Sequence, residues 1–411
     1  MDTLKINSFS EENNKNYYRY KFLLFSAILS GAAIPISTAF QNISTLLLLI
    51  FVIISPDVWH ELRAILKKPF ALAGMALGIT LLLGTFWTSA SPSDAWGFVG
   101  KMRAYYLIPI FLLIFMDEKI RSSLLISFAA ATFLSVLLSC LSAWFNTPIF
   151  KAVPGDWYIF RTHTYQNYFS GLLSIGLLAG LLMNKIPKNW KPLSIICFLL
   201  LSYNILFLVS GRTGQLVYLL MLSFILVLWN KKIGLFFCFI IVISSIFILP
   251  KYSEVISSGL TNTTSDVKSY SNGDSYSSVG LRLEWHKNSI QIIKENPLFG
   301  HGTGSFKTEY AKFLGNGDER LSSENPHNDY LWLSVELGVM GGFLLFILLL
   351  SAAWQGRHLE MAWKLTLYAM LMGMGISTLA NSFFTDNITG LAFVLLTCAL
   401  LNGPTNTKKL I

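Results

Sequence analysis

Apolar runs that approach or reach the length of a membrane crossing recur along almost the whole chain. A helical span needs about 20 apolar residues to cross roughly 30 Å of hydrocarbon. About twelve segments fit this expectation: 22–40, 41–56, 70–90, 102–116, 123–145, 166–184, 193–210, 215–230, 233–250, 329–354, 365–385 and 389–403. Because 53% of the 411 residues are hydrophobic and only 13% are charged, the chain is too apolar for a soluble protein. The sequence therefore predicts an all-α polytopic membrane protein.

Lysine and arginine in the connections predict the orientation, since cytoplasmic loops carry an excess of both. With the N-terminus inside, the inner connections hold 18 of the 31 basic residues and the short outer loops hold 5. We therefore expect both termini to be cytoplasmic and the protein to lie among membrane lipids. The net charge of +9 is then mainly a topology signal, and we expect no nucleic-acid partner. The charged N-terminal tail has no small-residue cleavage site, so we expect the first span to be retained.

One large segment outside the apolar runs, residues 251–326, divides the chain. It separates nine predicted spans in residues 1–250 from three in residues 327–411. Its first part, residues 257–280, is rich in Ser, Thr, Asn, Asp and Gly, and we expect it to be mobile. Helical spacing returns at residues 281–297 and predicts an amphipathic helix.

Two features follow within this segment. Arg282 and His286 are four residues apart, so they share one face of the predicted helix. The sequence "PLFGHGTGSF" (297–306) then brings three glycines that permit tight turns. No Gly-Lys-Ser/Thr follows, so this is not a nucleotide-binding P-loop, and a turn is favoured over a phosphate cradle.

Three basic side chains on the predicted outer face are candidates for chemistry. Arg212 lies in the very short turn "SGRTGQ" (210–215), where an arginine either meets an anion or extends to the lipid headgroups. Arg282 is the second candidate, although exposed arginines are common on helix surfaces. His327 is the third. If Asn325 caps the helix that follows, the positive end of that helix keeps the imidazole neutral at pH 7.

The run after His327 also carries unusual residues for a membrane helix. Ser334, Gly338 and Gly342 are spaced by four, a stripe of small residues that allows another helix to approach closely. Glu336 lies within the apolar run, where an acid is expensive and is usually functional or paired.

Together these residues favour transfer of a group from a lipid-linked phosphate. Arginine forks suit phosphate oxygens, and a neutral histidine suits removal of a proton from a hydroxyl. The sequence has no His-Glu-x-x-His motif, no Asp-x-Asp motif and no serine nucleophile elbow. We therefore expect neither a metal nor another cofactor. Because ATP is absent outside the cytoplasm, the donor must carry its own activation.

The stretch "HNDYLWLSVELGVMG" (327–341) has the form His-Asn, nine residues, Gly, two residues, Gly. It resembles the signature of bacterial O-antigen ligases, in a superfamily with O-antigen polymerases and pilin oligosaccharyltransferases. The "GR" of 211–212, "GLRLEW" of 280–285 and "NPLFGHGTGSF" of 296–306 resemble other shared stretches in the same order. The resemblance covers chiefly residues 205–345.

The resemblance implies a glycosyltransferase of the GT-C type in the bacterial inner membrane. Such an enzyme moves an O-polysaccharide en bloc from undecaprenyl pyrophosphate to a lipid A-core hydroxyl on the periplasmic face, with inversion and without a metal. Arg212 and Arg282 would hold the pyrophosphate, and His327 would be the base. Asn328, Gly338 and Gly341 of the signature would contribute to substrate binding.

Two other functions stay open. A polymerase of the same superfamily would share these features and would use a second lipid-linked glycan as acceptor; a pilin oligosaccharyltransferase ranks below it because those chains tend to be longer. A lipid-linked glycan flippase or another transporter would also have about twelve spans. It would carry ionisable residues near the bilayer midplane, whereas the polar residues here gather at one face.

Overall fold

A computed structural model of the protein describes residues 14–53, 56–315 and 317–406, and these residues are predominantly helical. No strand occurs in these ranges, which hold only two isolated β-bridges: Val153 with Asp156, and Leu359 with Thr405. The predicted all-α class is confirmed.

Twenty α-helices follow one another along the described residues. Those of the first half are α1 (Asn14–Ile36), α2 (Thr38–Ile53), α3 (Leu62–Ile65), α4 (Pro69–Gly84), α5 (Pro92–Lys101), α6 (Arg103–Tyr106), α7 (Ile108–Ile114), α8 (Glu118–Trp144), α9 (His163–Leu182) and α10 (Lys191–Tyr203). Those of the second half are α11 (Arg212–Trp229), α12 (Lys231–Ile243), α13 (Leu249–Tyr252), α14 (Glu254–Ser271), α15 (Ser278–Glu295), α16 (Phe306–Leu314), α17 (Asp329–Leu337), α18 (Val339–Gln355), α19 (Met361–Ala380) and α20 (Asn387–Leu401).

Six helical stretches are long and apolar enough to cross a membrane. They are Tyr17–Ile36, Glu118–Trp144, Lys188–Leu208, Arg212–Trp229, Lys231–Tyr252 and Val339–His358. A seventh is possible if Trp59–Ile65 and Pro69–Gly84, which meet at 88°, count as one span. The described residues therefore support a polytopic membrane protein, but only about half of the twelve predicted spans meet this criterion. The other predicted spans correspond to helices that are shorter, broken or less apolar.

Connections that were predicted to lie on the same side of the membrane contact one another. Among the predicted inner connections, Lys185 lies 2.6 Å from Glu360, and the Glu360 N–H donates to the carbonyl of Pro404. Among the outer ones, Arg103 donates to Asn42 over 2.9 Å. These contacts agree with the grouping that the charge pattern gave, while the side that faces the cytoplasm stays a prediction.

The segment expected to be mobile is helical instead. Residues Glu254–Ser271 form α14, which begins where the Ser253 hydroxyl accepts from the Ile256 N–H. Within the helix the Thr263 hydroxyl donates to the carbonyl of Gly259 over 2.7 Å, so part of its polar composition is used locally. Helix α14 packs against α15, and this packing overrides the weak helix propensity of its Ser, Thr and Asn residues.

The predicted span 329–354 is two helices rather than one. Helix α17 ends at Leu337, Gly338 has a φ of 69°, and α18 begins at Val339. The expected stripe of small residues along a single helix is therefore interrupted at Gly338. The break is where the glycine loop of residues 297–304 packs.

We call Gly300, Gly302, Gly304 and Gly338 the glycine junction. All four have positive φ, and a Cβ on Gly338 would lie 2.3 Å from the carbonyl oxygen of Leu298. Backbone N–H groups of this loop form hydrogen bonds within the protein: the Gly302 N–H donates to the carbonyl of Glu336 over 2.8 Å. The junction is a turn and a helix contact, as favoured from the sequence, and these paired amides do not form a phosphate cradle.

Burial differs sharply between two equally apolar helices. In α20 all residues from Thr389 to Leu401 are buried, and the helix contributes to the main hydrophobic core. In α12 only Gly234 is buried, and Phe236 and Phe239 are exposed. An apolar surface of this kind is expected to face lipid or a partner.

Candidate functional site

Arg212 and Arg282 line one pocket at the end of the molecule where the long loop lies. The pocket has a volume of about 360 Å³ and is formed by the starts of α9 and α11, by α14 and α15, and by the connection after α19. Its lining residues are His163, Thr164, Ser210, Arg212, Thr213, Val255, Ser258, Gly259, Asn262, Ser278, Arg282 and Asn381. We call it the arginine pocket. Only one of these residues, Val255, is a hydrophobic residue, which suits a charged or polar ligand.

Arg212 is the first residue of α11 and lies against α14. Its Nη1 donates to the Thr263 hydroxyl over 3.0 Å and lies 3.6 Å from a carboxylate oxygen of Asp266. Its side chain is 35% exposed, and its Nε and Nη2 have no hydrogen-bond partner in the described part of the chain. The side chain is therefore positioned by α14 and still able to bind an anion. A Cβ on Gly259 would lie 3.3 Å from the Cγ of Arg212, so a glycine at this position leaves room for the arginine side chain.

Arg282 reaches the pocket from the first turns of α15. Its Nη1 donates to the Ser278 hydroxyl over 2.9 Å, while its buried Nε has no partner among the described residues. Burial lowers the pKa of Arg282, and the charge of nearby Arg212 lowers it further. Two neighbouring guanidinium groups with unfilled donor positions form a site for a multiply charged anion.

His327 does not lie in the first turn of the following helix, where a cap at Asn325 would place it. Helix α17 begins at Asp329, and its cap is Asn328, whose side chain accepts from the Leu331 N–H over 3.1 Å. Asn325 instead accepts from the His327 N–H. The prediction that Asn325 caps the helix is wrong, because Asn328 has the extended backbone that a cap requires whereas His327 has a φ of 53°.

The predicted neutral state of His327 agrees with the structure, but its main cause is different. The imidazole stacks on the indole of Trp285, with ring centroids 5.1 Å apart. Burial, and then the charges of Arg282 and His286, lower the pKa of His327 to about 4. A neutral imidazole at pH 7 is able to accept a proton.

The three predicted catalytic residues are far apart in the sequence but lie near one another in space. Arg212 and Arg282 share the arginine pocket, and His327 lies next to Arg282 and Trp285, although it does not line that pocket. The structure brings together two phosphate-binding candidates and one base candidate. Their catalytic roles stay predictions.

The residues predicted to bind substrate have structural contacts. Asn328 caps α17, Gly338 forms the helix break, and a Cβ on Gly341 would lie 2.1 Å from the carbonyl oxygen of Leu333. Gly338 and Gly341 are therefore required by packing. Their role and that of Asn328 in substrate binding stay predictions.

Two acidic residues of α17 are also structural. Asp329 is fully buried and accepts from the N–H of Phe384 at 2.6 Å and from the Thr385 hydroxyl at 2.6 Å, so it holds the connection between α19 and α20. Glu336 accepts from the Trp332 indole over 2.8 Å. The sequence predicts that this acid is either functional or paired, and the structure gives it a hydrogen-bond donor on its own helix.

Sequence reasoning missed two residues of this pocket. His163, in a predicted outer loop, lines the arginine pocket, and its Nδ1 lies 3.0 Å from Asp156. Asn381 lines the same pocket and donates to the Thr213 hydroxyl. Neither belongs to a motif: the only signal for His163 was its loop on the same predicted side as Arg212, and Asn381 lay inside the predicted span 365–385.

An all-helical membrane protein with an arginine-lined pocket at one end is the class that this fold and site define. The family model described as O-Antigen ligase matches residues 196–346, which hold Arg212, Arg282 and His327. The resemblance to O-antigen ligases found in the sequence is therefore confirmed over these residues.

A relative in Haemophilus influenzae is described as an uncharacterized protein. It is 29% identical over 128 residues, which are 30% of this chain and 32% of that protein. The match thus spans about a third of the relative.

Proposed function

We propose that this protein is an O-antigen ligase of lipopolysaccharide biosynthesis. It transfers an O-polysaccharide en bloc from undecaprenyl pyrophosphate to a hydroxyl of the lipid A core. The observation that carries the proposal is the pair Arg212 and Arg282 in one polar pocket, with His327 next to Arg282. The O-antigen ligase match over the same residues supports it.

The chemistry assigns one task to each kind of side chain. The two guanidinium groups bind oxygens of the pyrophosphate and stabilise the negative charge that grows on it as it leaves. Neutral His327 accepts the proton of the acceptor hydroxyl while that oxygen attacks the anomeric carbon. The bond between this carbon and the pyrophosphate oxygen breaks, its electron pair stays with the pyrophosphate, and the anomeric configuration is inverted. In this mechanism no metal takes part.

The proposal includes an arrangement in the cell. The protein is a GT-C-type enzyme of the inner membrane, with about twelve spans and cytoplasmic termini. Residues 1–250 and 327–411 hold the spans, and residues 251–326 are a periplasmic loop. Alkaline phosphatase fused at Asn272 should be active, and a fusion at Lys188 should be silent; the reverse pattern would contradict the proposal, because the pocket would then face the cytoplasm.

A reconstituted reaction tests the activity. Purified protein receives an undecaprenyl-pyrophosphate-linked O-glycan in separate reactions, one with lipid A-core as acceptor and one with a second lipid-linked glycan. Transfer to lipid A-core alone supports the ligase, and growth of the lipid-linked glycan alone would assign the polymerase instead. Protein that only moves the donor across a vesicle membrane would be a transporter. The anomeric configuration of the product, read by NMR, tests inversion.

A further inference from the structure

His163 lines the arginine pocket and pairs with Asp156 outside its lining, and neither residue has a place in the mechanism above. The Nδ1 of His163 and an oxygen of Asp156 are 3.0 Å apart. Because an ionised carboxylate only accepts hydrogen bonds, Nδ1 carries the hydrogen. The other ring nitrogen, Nε2, is then the atom left for a ligand, and the side chain of His163 is 43% exposed.

Asp156 is fixed by the loop that precedes α9. Its second carboxylate oxygen accepts from the Ser210 N–H over 3.0 Å, and its own N–H donates to the carbonyl of Val153. Burial raises the pKa of Asp156, but the hydrogen bonds from His163 and Ser210 outweigh it and hold the pKa below its usual range. The carboxylate is therefore charged at neutral pH and sets the orientation of the imidazole.

The same contacts tie the pair to the arginines. Ser210 is two residues before Arg212, so the backbone that carries Arg212 is hydrogen-bonded to Asp156. His163 begins α9, and its ring packs edge-to-face on Tyr158 with centroids 5.8 Å apart. The imidazole is thus positioned by Asp156 and Tyr158 of the preceding loop.

The charges around His163 come from several elements. Asp156 lies on the preceding loop, Arg212 at the start of α11 and Arg282 on α15, with Asp266 of α14 next to Arg212. Two cations and one directly bonded carboxylate face the imidazole. A cationic imidazole in this pocket has Asp156 as its counter-ion, and a bound pyrophosphate would add a second.

We propose that His163, oriented by Asp156, is a fourth catalytic residue, which binds the pyrophosphate of the lipid-linked donor through Nε2. In its imidazolium form it donates a hydrogen bond to an oxygen of the leaving pyrophosphate and stabilises the charge that develops there. His163 transfers no proton, so the proton of the acceptor hydroxyl still goes to His327 and the step stays balanced. This inference rests on the proposed function.

Binding of undecaprenyl pyrophosphate without glycan tests the proposal directly. The full-length protein in detergent is titrated with this lipid at neutral pH. His163→Gln should bind about 10-fold more weakly than wild type, as expected for the loss of one charge-assisted hydrogen bond. His358→Gln, at an exposed histidine between α18 and α19, should bind like wild type.

Two further variants separate this role from general damage to the pocket. Asp156→Asn should also weaken binding, since an amide does not stabilise an imidazolium. The double variant His163→Gln/Asp156→Asn should bind no more weakly than His163→Gln alone, because Asp156 acts through the imidazole and an amide still accepts from the Ser210 N–H.

Binding of the lipid by His163→Gln with wild-type affinity would overturn the inference. Failure of the proposed function looks different. Wild type would then not transfer glycan to lipid A-core, while the binding defect of His163→Gln would still support the pyrophosphate contact.

Discussion

The arginine pocket and the glycine junction arise from similar sequence and behave in opposite ways. Both lie at the end of the molecule where the long loop packs, and both combine glycines with polar residues. In the junction, backbone groups pair inside the protein: the His301 N–H donates to Val335 at 2.9 Å, and the Val339 N–H donates to Pro297 at 2.8 Å. Packing leaves no room for side chains at Gly300 or Gly338.

The pocket keeps donor positions that the protein does not use. Two guanidinium groups come close enough for Arg212 to lower the pKa of Arg282, and the Nε of Arg282 is buried without a partner among the described residues. Like charges held together cost free energy unless an anion offsets them. Backbone groups that pair inside the protein therefore mark the part that holds the fold together, whereas guanidinium groups with unfilled donor positions mark the proposed ligand site. Substitutions in the two regions should have separable effects.

The largest effect is expected at His327. Replacing it by Gln keeps a polar side chain but removes the basic nitrogen, and general-base catalysis is typically worth about 10²–10⁴ in rate. His327→Gln should therefore transfer glycan at least about 100-fold more slowly, with an unchanged melting temperature. Initial rates with defined donor and acceptor measure this.

His358→Gln is the matched control, because His358 is an exposed histidine in the predicted inner connection between α18 and α19. It should keep the wild-type rate. A wild-type rate in His327→Gln would show that the histidine is not the base.

A smaller loss is expected for Arg212→Lys. The ammonium keeps the charge but not the planar fork, and a hydrogen bond to a charged group contributes about 1.5–3 kcal/mol. The rate should fall roughly 10- to 100-fold by this range. Arg320→Lys, in the exposed ion pair with Asp318, is the control and should change little. Equal rates for both variants would mean that Arg212 acts only as an anchor.

In the glycine junction the expected loss is in stability. Gly338→Ala places a methyl group at a φ of 69° and 2.3 Å from the carbonyl oxygen of Leu298. The strained backbone alone costs about 1–3 kcal/mol, so the melting temperature and the yield of folded protein should fall.

Gly97→Ala is the control, because a Cβ there meets nothing within 4 Å and Gly97 lies inside α5. It should be neutral or stabilise the helix by about 0.5–1 kcal/mol. If Gly338→Ala kept full stability and lost only activity, the separation of the two regions would fail.

The pH dependence of the maximal rate is a finer test of the pocket's electrostatics. Because the pKa of His327 is lowered to about 4, the base is neutral above that value and becomes protonated as the pH falls through it. At saturating donor concentration, the rate of proton transfer to His327 should fall only as the pH approaches 4. Arg282→Gln removes a nearby positive charge, so the pKa of His327 should rise and the acid limb should move to higher pH. An acid limb near pH 6.5 in wild type would contradict the environment described for His327.

The smallest effect is expected for metal removal. Transfer should be unchanged in EDTA, because the proposed mechanism assigns charge stabilisation to arginines. The same assay without EDTA is the reference. Loss of activity that Mg²⁺ or Mn²⁺ restores would require a different mechanism.

Several elements of the fold could be predicted from hydrophobicity alone. The runs that became α8, α11 and α12 are long, apolar and unbroken, and each is among the six candidate spans. The break at Gly338 could not be read in the same way, because the glycine is compatible with a continuous helix until the loop at Leu298 packs against it. The helical state of α14 also depended on packing against α15.

The site was only partly predictable. Arg212, Arg282 and His327 were selected because their types and places suited a phosphate donor, and the structure brings them near one another. His163 was missed because an isolated histidine in a short loop carries no signal until Asp156 lies beside it. The sequence does not show which asparagine caps α17. Asn325 and Asn328 both fit the pattern, and only the backbone conformation distinguishes them.

The sequence by itself indicated a membrane protein, predicted which connections lie on the same side, and showed the resemblance of residues 196–346 to O-antigen ligases. These properties depend on local composition, charge in the connections and short motifs, which need no knowledge of the packing. Only the tertiary structure decided which glycines are structural, which polar groups stay unpaired and which side chains share a pocket. Those properties depend on contacts between residues far apart in the chain, such as Asn381 with Thr213, and no local pattern records them.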